Sequence, residues 1–128
     1  MSGFLTPLDV RKSGDTRWVL IAPLRYEVAP GQIIEVPAGF PTDFASIPRV
    51  FFLTTPPVGK YDRAAVVHDY LYVAQATTRA QADRIFLQAM ADCGVSWYMR
   101  YKMFLAVQLG GGRVWTRYAP KKNNTEAA

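Results

Sequence analysis

Four side chains in the middle of the chain have the types and spacing to move a proton. His68, Asp69 and Tyr72 lie in the run Ala64-Ala65-Val66-Val67-His68-Asp69-Tyr70-Leu71-Tyr72, and Asp83 follows in Gln81-Ala82-Asp83-Arg84-Ile85-Phe86. His68 is the only histidine, so it is the one side chain whose ordinary titration falls near neutral pH. On a helix, His68 and Tyr72 share a face, and Asp69 projects about 100° around from them. A polar pair inside so apolar a run must be partnered or used, because an unpaired buried charge is costly.

Two helices joined by a short connection pack antiparallel, which brings Asp83 across to His68. An acid bound to one ring nitrogen fixes the tautomer and leaves the other nitrogen free as a base. Tyr72 can donate its hydroxyl to Asp83. Asp69 then points sideways, towards a proline-rich loop whose carbonyls, with Asp69, suit a hard cation such as calcium. Asp43, within that loop, is a further candidate ligand. The same residues also fit a purely structural role. His68, Asp83 and Tyr72 can close a buried network and do nothing else, and Asp69 can pair with Arg49, Arg63 or Arg84. A Cys93–His68 nucleophile pair is disfavoured, because Cys93 falls at a helix C-terminus, where the dipole opposes a thiolate. No phosphate loop, dinucleotide fingerprint, Gly-x-Ser-x-Gly or His-Glu-x-x-His is present.

The elements that must hold these residues follow from periodicity. Trp18 to Ile21 favours a strand. Leu24 to Val28 and Gln32 to Val36 alternate on either side of Ala29-Pro30-Gly31, which predicts a β-hairpin. Three prolines and a glycine exclude a regular helix from Pro37 to Pro48 and predict a shaped loop. A first helix is expected from Asp62 to Ala74. Thr78-Arg79-Ala80-Gln81 has the form of a capping box, opening a second helix that runs to Cys93 and stops at Gly94. Ser96 caps a third, from Trp97 to about Leu109, ended by Gly110-Gly111-Gly112, and Val114 to Tyr118 is expected to be a short strand. The third helix is apolar almost all round, so it is central to the core or covered by a partner. The fold class is α+β: an N-terminal β-hairpin or meander followed by a three-helix C-terminal half. A single domain over residues 1–120 is expected, with a polar tail over 121–128.

Composition sets the outer bounds. The chain has 128 residues, 50% of them hydrophobic, and a formal charge of +5. The lone cysteine excludes an internal disulfide and a cysteine-based zinc site. No signal peptide and no membrane span are expected. Between Asp92 and Glu126 there is no acid, while Arg100, Lys102, Arg113, Arg117, Lys121 and Lys122 fall there. Such a basic third can meet anionic lipid, phosphate or an acidic protein face, or simply be solvated. No nucleic-acid module is recognised.

Two resemblances attach to these residues. The Pro37–Pro48 segment, the Ala64–Tyr72 run and the Ala82–Phe86 run together resemble a phage and prophage family catalogued as a domain of unknown function, numbered thirteen fifty-three. That likeness implies a tailed-phage or prophage origin and a place in the virion or the host cytoplasm. With it goes the expectation of a tail- or baseplate-associated component that packs against other phage structural proteins. The helix pair is also similar to phospholipase A2, which carries His-Asp-x-x-Tyr on one helix and an Asp on the next. This second likeness implies a hydrolase acting on phospholipid or another ester. In it His68 would activate water, Asp69 would bind calcium, and Tyr72 and Asp83 would support the histidine. The chain departs from that family in lacking its disulfides and its Gly-x-Gly loop, where Pro48-Arg49-Val50-Phe51-Phe52 stands instead.

Overall fold

In a computed structural model, the described residues are 2–14, 17–42 and 61–118. They form an α+β arrangement: six short strands in two antiparallel sheets, then three helices. The predicted hairpin is β4 (Leu24–Ala29) and β5 (Gln32–Val36), paired from Leu24↔Val36 to Ala29↔Gln32. Pro30 and Gly31 make the turn, and Gly31 supplies the positive φ of 80° that a bulkier residue adopts only with strain. A register shift between Glu27 and Ala29 relieves the mismatch between this turn and the strand twist. β1 (Gly3–Phe4) extends this sheet on the β4 side, giving the order β1-β4-β5. The second sheet, in the order β2-β3-β6, joins Val10–Lys12, Trp18–Leu20 and Pro41–Thr42. Thus the expected proline-rich loop contains, four residues in, a two-residue edge strand, Pro41 being tolerated there because an edge position needs no donor on its outer side. Residues 43–60, with the second half of that loop and Asp43, lie outside the described residues, as do residues 119–128.

Helix α1 (Asp62–Ala74) and helix α2 (Arg79–Asp92) follow the sequence reading closely. The capping box at α2 is complete: Gln81 N–H donates to Thr78 Oγ1 at 3.1 Å, and Thr78 N–H donates to Gln81 Oε1 at 2.9 Å. Between the helices, Gln75 ends α1 in the left-handed region (φ 51°) and donates its side-chain amide to the Trp115 carbonyl at 2.7 Å. The core forms where the inner face of the hairpin (Leu24, Tyr26, Val36) meets Ala64, Ala65, Val66, Val67 and Leu71 of α1 and Ala82, Phe86, Ala89 and Met90 of α2. Tyr26 ties sheet to helix: its hydroxyl donates to Asp92 at 2.6 Å and accepts from Gln88 at 3.1 Å.

The third helix corrects the sequence reading. α3 runs from Trp97 to Tyr118 straight through Gly110-Gly111-Gly112, and Val114 to Tyr118 is helical rather than a strand. Local propensity argues for a stop, at about 1 kcal/mol per glycine relative to alanine. Tertiary packing overrides it. A Cβ on Gly111 would lie 2.5 Å from Tyr72 Oη and 3.3 Å from Arg79 Nη2, so the bare backbone is what lets α3 lie this close. Beyond the glycines, Trp115 packs edge-on against the Tyr72 ring at 5.1 Å. The inward face of α3 carries Met103, Ala106, Val107 and Gly111; its outward face carries the exposed Trp97, Tyr98, Tyr101, Leu105 and Leu109, uncovered among the described residues.

Candidate functional site

The apolar stretch Ala64–Val67 drives α1 into the core and takes His68 with it, leaving the imidazole 4% exposed. The antiparallel pairing of α1 and α2 places Asp83 opposite, as its spacing predicts. His68 Nε2 lies 2.9 Å from Asp83 Oδ1, and the Tyr72 hydroxyl donates to the same oxygen at 2.6 Å. Two donors one helical turn apart on α1 therefore converge on one carboxylate of α2. Rings close the sides: Tyr72 and Phe86 pack on the imidazole with centroids 4.4 and 4.5 Å away.

Electrostatics fix the protonation state. Burial pushes the His68 pKa below its ordinary value of 6.5, and the nearby Arg79 cation works in the same direction; the contact with Asp83 opposes both and is outweighed. Burial thus favours the neutral imidazole, and a carboxylate 2.9 Å from Nε2 favours the tautomer with its proton there, donating to Asp83. Nδ1 carries the lone pair and has no partner among the described residues. Burial and the carboxylate both raise the Tyr72 pKa, so its phenol stays a donor.

Arg79 is the member of this cluster that the sequence reading missed. Its Nε lies 3.4 Å from Tyr72 Oη, and its Nη2 donates to the carbonyls of Val107 and Gln108 in the middle of α3. One guanidinium thus joins the polar network to the helix that covers it. In the sequence, Arg79 is legible only as the first residue after an N-cap. Gly111 was legible as a break but not as a contact; a run of small residues flanked by helix-forming sequence is the signal that could have suggested close packing.

Asp69 does point away from the His68 face. Its Oδ2 accepts from the Thr42 hydroxyl at 2.6 Å, linking α1 to β6. Of its expected basic partners, Arg63 stacks over the Phe4 ring at 4.7 Å, Arg84 lines a separate groove, and Arg49 lies outside the described residues. Among the described residues no three His, Cys, Asp or Glu side chains gather as metal ligands. Calcium needs six to eight oxygens, and with Asp43 outside the described residues Asp69 and Thr42 do not by themselves form such a cage. Cys93 lies beside Arg63 and Ala64, and burial pushes its thiol pKa up, against any nucleophilic role.

In sum, the geometry can hold one neutral imidazole rigidly, with a carboxylate and a phenol behind it. That arrangement can either lock two helices together or present a base. No helix among the described residues is long and apolar enough to cross a membrane. No curated protein and no solved structure matches the chain. A family model does, over residues 18–107, a span that runs from β3 into α3 and contains Asp69 and the whole His68–Tyr72–Arg79–Asp83 cluster. The chain belongs to that family, described as a protein of unknown function (DUF1353).

Proposed function

We propose that this chain is a bacteriophage protein, a tail- or baseplate-associated component of the particle, held in place by packing the outward face of α3 against another phage protein. The observation that carries this reading is the row of large apolar side chains along α3. Leu109 is 88% exposed, Trp97 68% and Leu105 56%, with Tyr98 and Tyr101 beside them. Their spacing puts them on one side of the helix, opposite Met103, Val107 and Gly111. A contiguous aromatic and aliphatic row of this kind is costly to leave in water and has the composition of an interface centre. Arg113 and Arg117 lie towards the C-terminal end of the same helix, and α3 carries no acid, which suits an acidic counterpart. The same bases would serve contact with anionic lipid or phosphate. In this reading the protein resides in the virion, or in the host cytoplasm before assembly. The test is mass spectrometry of purified particles from cells expressing the wild-type chain or a Leu105→Glu/Leu109→Glu variant. The wild type should co-purify and the variant should be lost. Absence of the wild-type chain from particles ends the reading.

A second reading is a hydrolase centred on His68, and it rests on the neutral imidazole whose Nδ1 has no partner among the described residues. There, Nδ1 would take a proton from water as the water oxygen attacks an ester carbonyl, then return it to the departing alcohol. Asp83 would hold the imidazole in orientation and stabilise its cation, and Tyr72 would hold Asp83. Asp69 and Asp43 would have to supply any calcium site. The burial of His68 places this reading second. Its test is hydrolysis of phospholipid vesicles and of a simple soluble ester by wild type and His68→Asn; equal rates in the two proteins would sink it.

A further inference from the structure

Away from both the His68 cluster and α3, a groove of about 500 Å³ opens between the hairpin and the start of α2. Val28, Ile34 and Ile85 form its apolar wall, and Gln32, Thr77 and Arg84 supply the polar groups. Three features separate it from an ordinary surface dip. First, β5 is the last strand of its sheet, and among the described residues no backbone group outside that sheet bonds to Gln32–Val36. Among the described residues one side of β5 therefore carries N–H and C=O groups without backbone partners, and its first three residues, Gln32, Ile33 and Ile34, line the groove. Second, Thr77 Oγ1 is buried without a hydrogen-bond partner, alone in this among the described side chains. Third, Arg84 is exposed at the rim, and its guanidinium has no acid or other partner among the described residues.

We infer that this groove binds an extended segment of another polypeptide, which adds a strand to the free edge of β5. The segment carries an apolar side chain for the Val28–Ile34–Ile85 wall and a carboxylate for Arg84. A strand edge facing a helix across an apolar trough is suited to this mode, because backbone pairing gives affinity and alternate side chains enter the trough. The charge of the rim selects an acidic residue, since a planar guanidinium binds a carboxylate through two parallel hydrogen bonds. A compact small ligand would leave the β5 backbone groups unused, and so accounts for less of what is there. The groove shares no residue with α3, so this inference stands or falls separately from the particle reading.

The test uses the full chain as bait for a display library of random peptides of about ten residues, the upper length of ordinary strands. Enriched sequences should pair an acidic residue with apolar residues at alternating positions. They should bind Arg84→Glu at least about tenfold more weakly, a loss of about 1.4 kcal/mol. Because Arg84 is exposed, that variant should keep its fold, checked by its melting curve. Hydrogen exchange of the β5 amides should slow when peptide is bound, and a Leu105→Glu/Leu109→Glu chain should bind peptide as the wild type does. Failure to enrich any sequence overturns the inference. So does enrichment of peptides that bind Arg84→Glu equally well, or that leave β5 exchange unchanged.

Discussion

The inner and outer faces of α3 make opposite use of the same helix. On the inner face Gly111 gives up its side chain so that Tyr72 and Arg79 can approach, and the nearby polar atoms find partners: Tyr72 on Asp83, Arg79 on the carbonyls of Val107 and Gln108. On the outer face Trp97, Leu105 and Leu109 lie exposed, with nothing among the described residues packed over them. The inner face accounts for itself, since each residue type there answers a packing or hydrogen-bonding demand of this fold. The outer face answers no such demand. A side chain that contributes little to folding and is costly in water points to a contact outside the chain. On the proposed reading the inner face holds the fold and the outer face meets a partner, so substitutions on the two faces should behave differently.

The largest loss of stability should come from Asp83→Ala. It strips the shared acceptor from the buried His68 Nε2 and Tyr72 hydroxyl at once, leaving two donors in an apolar setting. We expect a cost of about 3 kcal/mol, read as a lower urea midpoint with little change in slope. Asp83→Asn, which keeps an acceptor oxygen, should cost less. A variant as stable as wild type would show that the network does not hold α1 to α2. Next in size is Gly111→Ala, where the new methyl meets Tyr72 Oη, itself fixed by Asp83. A cost of about 2 kcal/mol is expected, in the range of overpacked cores. Its neighbour is the internal control. A Cβ at Gly110 meets nothing within 4 Å, so Gly110→Ala should stabilise by up to about 1 kcal/mol through helix propensity alone. Opposite signs at adjacent glycines, measured by thermal and urea unfolding, would establish that close approach, not helix termination, is the reason for Gly111.

The same glycines mark where the sequence stopped being readable. Hairpin, α1 and α2 were legible because their signals are local: alternation around Pro30-Gly31, an apolar run, a capping box in four residues. His68, Tyr72 and Asp83 were legible as a cluster because helical spacing and antiparallel packing are nearly obligatory once the helices are drawn. β1, β2 and β6 were not, for two or three residues carry no periodicity and become strands only by pairing with β4 or β3. The end of α3 was misread because three glycines give a correct local argument for a break, which contacts from α1 and α2 override. Arg79 went unseen as a bridge since its partners are backbone carbonyls nearly thirty residues away, and a carbonyl has no sequence signature.

A smaller effect should appear on changing pH. With its folded pKa below 6.5, His68 takes up a proton more readily in the unfolded chain than in the fold. Below 6.5 the unfolded state therefore binds more protons, and stability falls as pH drops from there towards the folded pKa; above 6.5 the contribution is fully present. His68→Gln cannot titrate, so the wild type should lose stability relative to that variant over this window, read from urea midpoints of both proteins at matched pH. Parallel curves for the two would mean that His68 is not held neutral, and the inner face would lose its claim to a fixed protonation state.

The smallest effect on stability, and the sharpest use of the comparison, belongs to the outer face. Leu109→Ser and Leu105→Ser remove apolar surface that folding leaves in water, so unfolding free energy should move by no more than about 0.5 kcal/mol. The same changes should improve solubility at high protein concentration, because they shrink an exposed apolar row. A stability loss comparable to that of Gly111→Ala would mean that this face is covered by the chain itself, and would remove the support for a partner there. Unchanged stability together with lost retention in particles would assign the two faces of one helix to two different tasks, the inner to holding the fold together and the outer to holding the protein in its assembly.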